Sequence, residues 1–158
     1  MGAPDARDLR IAVVVSRFNE FVTDRLRAAA VEALRARGVP DERVTLVAVP
    51  GAYEIPQAAR RAAETGRFDA VVCLGCLIRG ATPHFDYIAS AVAHGIMEGT
   101  GATGVPMSFG VLTTNSAEEA IERAGAGPAN KGWEAAAAAV DMALLFRRLT
   151  PAAARERG

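Results

Sequence analysis

Largely apolar runs alternate along the chain with segments in which apolar residues recur every three or four positions. The runs occupy 9–16, 43–49, 68–78 and 105–113. Runs of this kind are typical of strands that are buried on both faces of a parallel sheet. The periodic segments predict helices over about 21–37, 55–65, 83–98, 116–124 and 131–149. The alternation of the two patterns predicts an α/β fold.

Strands that alternate with helices favour right-handed crossovers, with helices on both sides of the sheet. We therefore expect a single-domain three-layer α/β/α sandwich with a central, mainly parallel four-stranded sheet in a flavodoxin-like topology. A length of 158 residues suits one domain. That domain is expected to span 9–149, between a short polar segment at 1–8 and a loose tail at 150–158.

Capping signals support several of the predicted helix ends. Gly38 follows the first helix as a stop signal. Ser116 and Glu119 have the spacing of a capping box. Thr82 is predicted to cap the third helix, with Pro83 in its first position.

The charge balance bears on the class of partner. Lys plus Arg and Asp plus Glu number 18 each, whereas proteins that bind nucleic acid or membrane surfaces usually carry a basic excess. The first ten residues lack the apolar run of a signal peptide, and no apolar stretch has the length of a membrane span. We therefore expect a cytoplasmic protein. Lys131 is the single lysine among 17 arginines, a mild indication that its ammonium group has a role.

Two cysteines, Cys73 and Cys76, form a C-x-x-C string inside a predicted buried strand. Residues three apart on a strand point to opposite faces of the sheet. The two thiols therefore cannot share a metal or form a disulfide, and we interpret both as buried structural cysteines. No metal site is predicted.

Two glycine patterns imitate phosphate-binding motifs. The segment 99–104 fits G-x-G-x-x-G, but it follows a predicted helix and precedes a strand, the reverse of what dinucleotide binding requires. The segment 127–132 (GPANKG) lacks the Ser or Thr of a P-loop after Lys131, and no strand leads into it. Neither pattern predicts a cofactor.

Ligands of parallel sheets bind beyond the carboxyl ends of the strands. Four segments are expected there, at 17–19, 50–56, 79–84 and 113–116. The segment 79–84 (RGATPH) joins a strand to a helix through small residues, which suits an anion at a helix N-terminus. His84 falls in the first helical turn, where the helix dipole disfavours the imidazolium form, so its ring is a candidate proton acceptor. A surface histidine without a catalytic role is the alternative, and we interpret His94 as structural.

Other candidates are ambiguous from the residues alone. Glu54 could bind hydroxyl groups of a ligand or only stabilise the start of the next helix. Phe18 and Phe109 lie at or near strand ends, where aromatic rings either stack on a flat ligand or pack in the core. Arg123 and Lys131 on their own are typical of solvated charges.

The motifs together resemble the 6,7-dimethyl-8-ribityllumazine synthase family. The resemblance runs from about 9 to 149 and rests on 17–19 (RFN), 50–56 (PGAYEIP), 78–87 (IRGATPHFDY), 109–114 (FGVLTT), 120–125 (AIERAG) and 130–132 (NKG). It implies condensation of 5-amino-6-(D-ribitylamino)uracil with 3,4-dihydroxy-2-butanone 4-phosphate. The products are 6,7-dimethyl-8-ribityllumazine, phosphate and water, in the penultimate step of riboflavin biosynthesis, with no cofactor.

The resemblance also implies roles for single residues. His84 is the catalytic residue and shuttles protons. The pyrimidine and its ribityl chain would be bound by Phe18, Asn19, Ala52, Tyr53, Glu54, Leu77, Ile78, Phe109 and Lys131. The phosphate would be bound by Gly80, Ala81, Thr82 and Arg123. Among these, Phe109, Arg123 and Lys131 would come from the adjacent subunit of a homo-oligomer.

The resemblance implies a pentameric ring and leaves a larger icosahedral shell open. The segment 1–8 is short and polar for the additional strand of many shell-forming members, yet the loop at 125–130 is as short as in icosahedral members. Ala129 stands where the family often has Gly. Riboflavin synthase is a further candidate partner. Two alternatives from other classes are a flavodoxin-like flavin- or nucleotide-binding module and a non-catalytic shell protein.

Overall fold

The computed structural model describes residues 5–151 and contains one four-stranded sheet. The strands are β1 (Ile11–Ser16), β2 (Val44–Val49), β3 (Ala70–Ile78) and β4 (Met107–Thr114), in the order β2-β1-β3-β4. All three pairings are parallel. The predicted fold class is therefore confirmed, and the described sheet is wholly rather than mainly parallel.

Within residues 5–151, five α-helices cover the two faces of the sheet. They are α1 (Glu20–Ala36), α2 (Ile55–Glu64), α3 (His84–Thr103), α4 (Ala117–Arg123) and α5 (Lys131–Leu149). On β1, Val13 and Val15 belong to the core beneath α1 and α5, whereas Ala12 and Val14 belong to the core beneath α2 and α3. Successive strand residues point to opposite faces, so a strand between two helical layers is apolar along most of its length, as β1 is from Ile11 to Val15.

The third helix is longer than predicted. It was expected to end near Glu98 but runs to Thr103 and ends at Gly104, whose φ of 74° suits a residue without Cβ. Gly99 is buried within this helix. A Cβ at that position would lie only 2.9 Å from the Sδ atom of Met107. The glycines that suggested a loop instead allow close packing against β4.

The start of α3 also differs by one position. Pro83 is the N-cap residue rather than the first helical residue, and its side chain makes no capping hydrogen bond. Thr82 still acts near this end, because its Oγ1 accepts a hydrogen bond of 3.4 Å from the main-chain N–H of His84. Ser116 caps α4 as predicted, accepting from the N–H of Glu119 at 3.1 Å. The Glu119 carboxylate accepts from the N–H of Asn115 at 3.2 Å instead of that of Ser116, so the predicted capping box is formed only in part.

Close contact between α1 and α5 fixes the position of Lys131. A Cβ on Gly132 would lie 2.1 Å from the main-chain oxygen of Leu26, so only glycine fits there. Asn130 is buried and caps α5, accepting hydrogen bonds from the N–H groups of Gly132 at 2.7 Å and Trp133 at 3.4 Å. The start of α5 is thus held by packing and capping together.

The two cysteines are free and buried on opposite sides of β3, as predicted. Cys73 belongs to the core beneath α2 and α3, and Cys76 to the core beneath α1 and α5. Burial raises the pKa of Cys73 to about 12 and that of Cys76 to about 11. Raised pKa values of this kind are typical of inert structural thiols.

Within residues 5–151, no helix has both the length and the apolar character needed to cross a bilayer. No three His, Cys, Asp or Glu side chains of the same range are grouped so that they could hold a metal ion. Residues 1–4 of the predicted polar segment and residues 152–158 of the predicted tail lie outside the described residues, and Ala6–Asp8 form a 3-10 turn.

Candidate active site

A cavity of about 590 Å³ lies where β1 and β3 end, at the carboxyl edge of the sheet. This is the edge at which the parallel topology predicts a ligand site. Ten of the predicted site residues line it, namely Phe18, Asn19, Ala52, Tyr53, Glu54, Leu77, Ile78, Gly80, Thr82 and His84. The predicted residue Ala81 lies within the same loop, between Gly80 and Thr82.

The first wall of the cavity is the turn from β1 to α1, which hydrogen bonds hold on two sides. The N–H groups of Arg17 and Phe18 donate to the main-chain oxygens of Val49 at 2.8 Å and Pro50 at 3.1 Å. The side-chain amide of Asn19 donates to the main-chain oxygen of Cys76 at 3.1 Å. With its backbone fixed in this way, Phe18 leaves 69% of its surface exposed at the cavity. A large aromatic ring held at a cavity suits stacking on a flat ligand.

The second wall comes from the turn between β2 and α2. Ala52–Glu54 form a 3-10 turn in which Ala52 is buried and Tyr53 is exposed. Glu54 folds back over Gly51, and its Oε1 atom would lie 3.1 Å from a Cβ on that glycine. The carboxylate thus sits at the cavity, where it can accept hydrogen bonds from hydroxyl groups.

The third wall is the strand–helix loop, residues 79–83, with the start of α3. Gly80 has open space where a side chain would project. His84 begins α3, a helix of 20 residues, so it lies at the positive end of the helix dipole. This wall can accept an anion and offers an imidazole beside it.

Arg79 is the cation of the strand–helix loop, and other groups already bind its guanidinium. Its Nη2 and Nη1 atoms contact the two carboxylate oxygens of Asp86 at 3.2 and 3.4 Å. Its Nε donates to Oδ1 of Asn115 at 3.1 Å, and its Cζ lies 4.5 Å from the centroid of the Phe85 ring. Arg79 is absent from the residues that line the cavity.

The sequence comparison identifies the family. The 6,7-dimethyl-8-ribityllumazine synthase family matches residues 8–147. The chain belongs to this family. The resemblance inferred from the motifs is therefore confirmed, and the family implies a lumazine synthase, a transferase of riboflavin biosynthesis.

Three residues expected at a lumazine synthase site lie away from this cavity in the single chain. Phe109 and Lys131 line a separate cavity of about 370 Å³ between β4 and α5. Arg123 lies near the end of α4, where its Nη2 is 3.3 Å from Oε1 of Glu119. One chain therefore brings together the residues expected from one subunit, and it does not bring Phe109, Arg123 or Lys131 to them.

Four residues that line the cavity were not predicted, namely Gly51, Cys76, Phe85 and Ile88. Phe85 and Ile88 follow His84 by one and four positions on α3, and helical spacing could have identified Ile88 as its neighbour. Cys76 and Gly51 carried no such signal. Cys76 is 1% exposed, and its contribution to the turn is a main-chain oxygen.

Proposed function

We propose that this chain condenses 5-amino-6-(D-ribitylamino)uracil with 3,4-dihydroxy-2-butanone 4-phosphate to give 6,7-dimethyl-8-ribityllumazine. One observation supports this most strongly. A single cavity, in a chain of the lumazine synthase family, is lined by an exposed aromatic ring, a carboxylate and a histidine beside a helix N-terminus. These groups match the parts of the two substrates, which are a flat heterocycle, a polyol and a phosphate ester.

The pyrimidine substrate occupies the part of the cavity next to the β1–α1 turn. Phe18 stacks on the ring, and the main chain of Leu77 and Ile78 reads its polar edge. The ribityl hydroxyl groups reach the 3-10 turn, where the Glu54 carboxylate and the Asn19 amide are hydrogen-bonding partners. Ala52 and Tyr53 complete this wall.

The phosphate of the second substrate occupies the strand–helix loop. Gly80, Ala81 and Thr82 are exposed small residues, whose main-chain N–H groups can face the phosphate. The N-terminus of α3 contributes a favourable dipole. These partial charges do not neutralise a phosphate dianion, and the charge of Arg79 is engaged by Asp86. A further cation is therefore required.

Arg123 of a second copy supplies that cation. In one chain it lies on α4 with an exposed side chain, outside the cavity. Phe109 and Lys131 likewise lie outside the cavity and join it from the neighbouring copy. A head-to-tail contact repeated around a closed ring gives every copy the same completed site. A pentameric ring is the assembly that we propose, in the cytoplasm.

The proposed reaction takes place between two substrates held next to each other in the cavity. The pyrimidine's amine attacks the ketone, and loss of water gives an imine. Removal of a proton expels the phosphate and leaves an enol, which tautomerises to a ketone. The ribityl-bearing nitrogen attacks that ketone, and loss of a second water forms the new ring. His84 accepts and returns the protons, and orientation of the two reactants removes much of the barrier.

The test is to mix both substrates with purified protein and follow lumazine absorbance and phosphate release together. We expect one phosphate per lumazine, at a rate well above that of the same mixture without protein. A rate equal to that control would contradict the proposal. Tight binding of FMN with no condensation would favour a flavin-binding module instead.

A further inference from the structure

We propose that Arg79 is a positioning residue that holds the strand–helix loop and His84 in the geometry that binds phosphate, without itself binding phosphate. The proposal rests on the function proposed above. It goes beyond it by assigning a role to a side chain that does not line the cavity.

The contacts of Arg79 join three parts of the chain. Its N–H donates to the main-chain oxygen of Thr114 at 2.8 Å, and its Nε donates to the side chain of Asn115 at 3.1 Å. Its two terminal nitrogens contact Asp86 in the first turn of α3, and its guanidinium lies over the ring of Phe85. The residue that begins the loop is thus bound to the helix turn that follows the loop and to the end of β4.

This arrangement restrains a segment that has few other restraints. Gly80 and Ala81 carry no side chain long enough to anchor the loop, and both are exposed. An isolated ion pair at the surface contributes little, because water screens it and the side chains lose entropy. A planar guanidinium bound at both ends of a carboxylate and stacked on a ring is different, since it has one orientation. The positions of Phe85 and Asp86, and of His84 beside them, follow from it.

Arg79 also masks a charge that would oppose substrate binding. Asp86 places a carboxylate in the first turn of α3, next to the loop where the phosphate is proposed to bind. Without Arg79 that carboxylate would repel a phosphate dianion. Both consequences of losing Arg79, a looser loop and an unmasked charge, weaken the phosphate end of the site.

The competing hypothesis is that Arg79 leaves Asp86 and binds the phosphate directly. The two hypotheses predict opposite effects at Asp86. If Arg79 positions the loop, Asp86→Ala weakens phosphate binding, because the restraint is lost. If Arg79 is a phosphate ligand, Asp86→Ala strengthens phosphate binding, because the guanidinium is released.

The experiment compares Arg79→Ala, Arg79→Lys, Asp86→Ala and the double Ala variant with a matched control pair. Arg35 and Asp41 form a comparable exposed two-point contact, at 2.8 and 2.9 Å, away from the cavity. For each variant, kcat, the KM of each substrate and the dissociation constant of inorganic phosphate are measured. Amide hydrogen exchange over residues 79–90 provides a readout that does not need activity.

We expect Arg79→Ala and Asp86→Ala each to lower kcat/KM for the butanone phosphate, by up to about a hundredfold as for displaced positioning groups. The double variant should be no worse than the poorer single, because both remove one interaction. Exchange over residues 79–90 should rise, the KM of the pyrimidine should stay constant, and Arg79→Lys should recover part of the loss. Arg35→Ala and Asp41→Ala should resemble the unchanged protein.

Tighter phosphate binding by Asp86→Ala would overturn the proposal, as would Arg79 variants that behave like the controls in both phosphate binding and exchange. If the unchanged protein makes no lumazine, the proposed function is contradicted, but the role of Arg79 is not. Phosphate binding and hydrogen exchange then still decide whether Arg79 restrains the loop.

Discussion

The side-chain amide of Asn19 donates a hydrogen bond of 3.1 Å to the main-chain oxygen of Cys76, which fastens the β1–α1 turn to the end of β3. Asn19 is the one non-glycine residue in the described part of the chain with a positive φ, at 67°. Asparagine tolerates this left-handed conformation better than most residues. The same side chain therefore permits the turn and anchors it beside the cavity.

Substitution of Asn19 should separate these two contributions. Asn19→Gly keeps the backbone conformation and loses the hydrogen bond, which should cost about 1 kcal/mol of unfolding free energy. Asn19→Ala should cost a further 1 kcal/mol or so, because alanine is strained at positive φ. Urea unfolding of the two variants measures the difference. Equal stability of the Gly and Ala variants would show that the backbone conformation is not under strain at this position.

Two glycine substitutions in helices should have opposite effects. Gly132→Ala forces a Cβ to within 2.1 Å of the Leu26 main-chain oxygen, so α1 and α5 must separate. We expect it to lower the free energy of unfolding by about 3 kcal/mol, the upper end of the usual cost of overpacking a core. Gly101→Ala meets no heavy atom within 4 Å of the same chain and should stabilise α3 by about 0.5–1 kcal/mol. Equal shifts in the unfolding midpoint would contradict the packing described between α1 and α5.

The strands and helix α3 show which structural features sequence patterns can and cannot predict. Apolar runs identified all four described strands. The reason holds best for β1 and β3, which are buried along most of their length and so have no polar face, whereas β2 at the sheet edge is largely exposed. The end of α3 was missed because Gly99 and Gly101 resemble loop residues. Gly99 is required by the approach of Met107, a contact made across the fold. A local pattern cannot contain such a contact.

The functional site also combines features that sequence patterns predict with features that depend on contacts across the fold. Strand ends placed Phe18, Glu54 and His84 at one edge of the sheet, and they line one cavity. The hydrogen bond from Asn19 to the main chain of Cys76 depends on how the β1–α1 turn packs against β3, so no local sequence pattern predicts it. Whether Arg123 reaches the cavity depends on a second copy, and packing within one chain does not decide it.

Burial of Cys73 should make the fold sensitive to alkaline pH. Its pKa is raised from 9.0 to about 12 in the folded state, so between those values the unfolded chain binds fewer protons than the folded one. The stabilisation is therefore fully present below pH 9 and is lost as the pH rises towards 12. We expect the free energy of unfolding to fall by up to about 1.4 kcal/mol per pH unit from this thiol.

Cys73→Ala provides the control for that prediction. The variant should be less stable near neutral pH, because a small cavity replaces the sulfur. Between pH 9 and 11 its unfolding free energy should decline less steeply than that of the unchanged protein. Parallel declines would show that other groups, common to both proteins, account for the alkaline sensitivity.

We propose that each site is divided between two copies of the chain. His84→Ala should slow turnover by about a hundred- to ten-thousand-fold while substrates still bind, because it removes the proton shuttle. Arg123→Ala should weaken binding of the butanone phosphate and leave the pyrimidine affinity almost unchanged, with partial recovery in Arg123→Lys. Each variant alone impairs every site of its own ring.

Mixing the two variants tests the claim directly. His84→Ala and Arg123→Ala proteins are unfolded together in equal amounts and reassembled, and native mass spectrometry confirms mixed rings. If an intact His84 from one copy meets an intact Arg123 from its neighbour, about a quarter of the interfaces regain both, and activity returns to roughly a quarter of that of the unchanged protein. Mixed rings that are no more active than either parent would contradict the divided site.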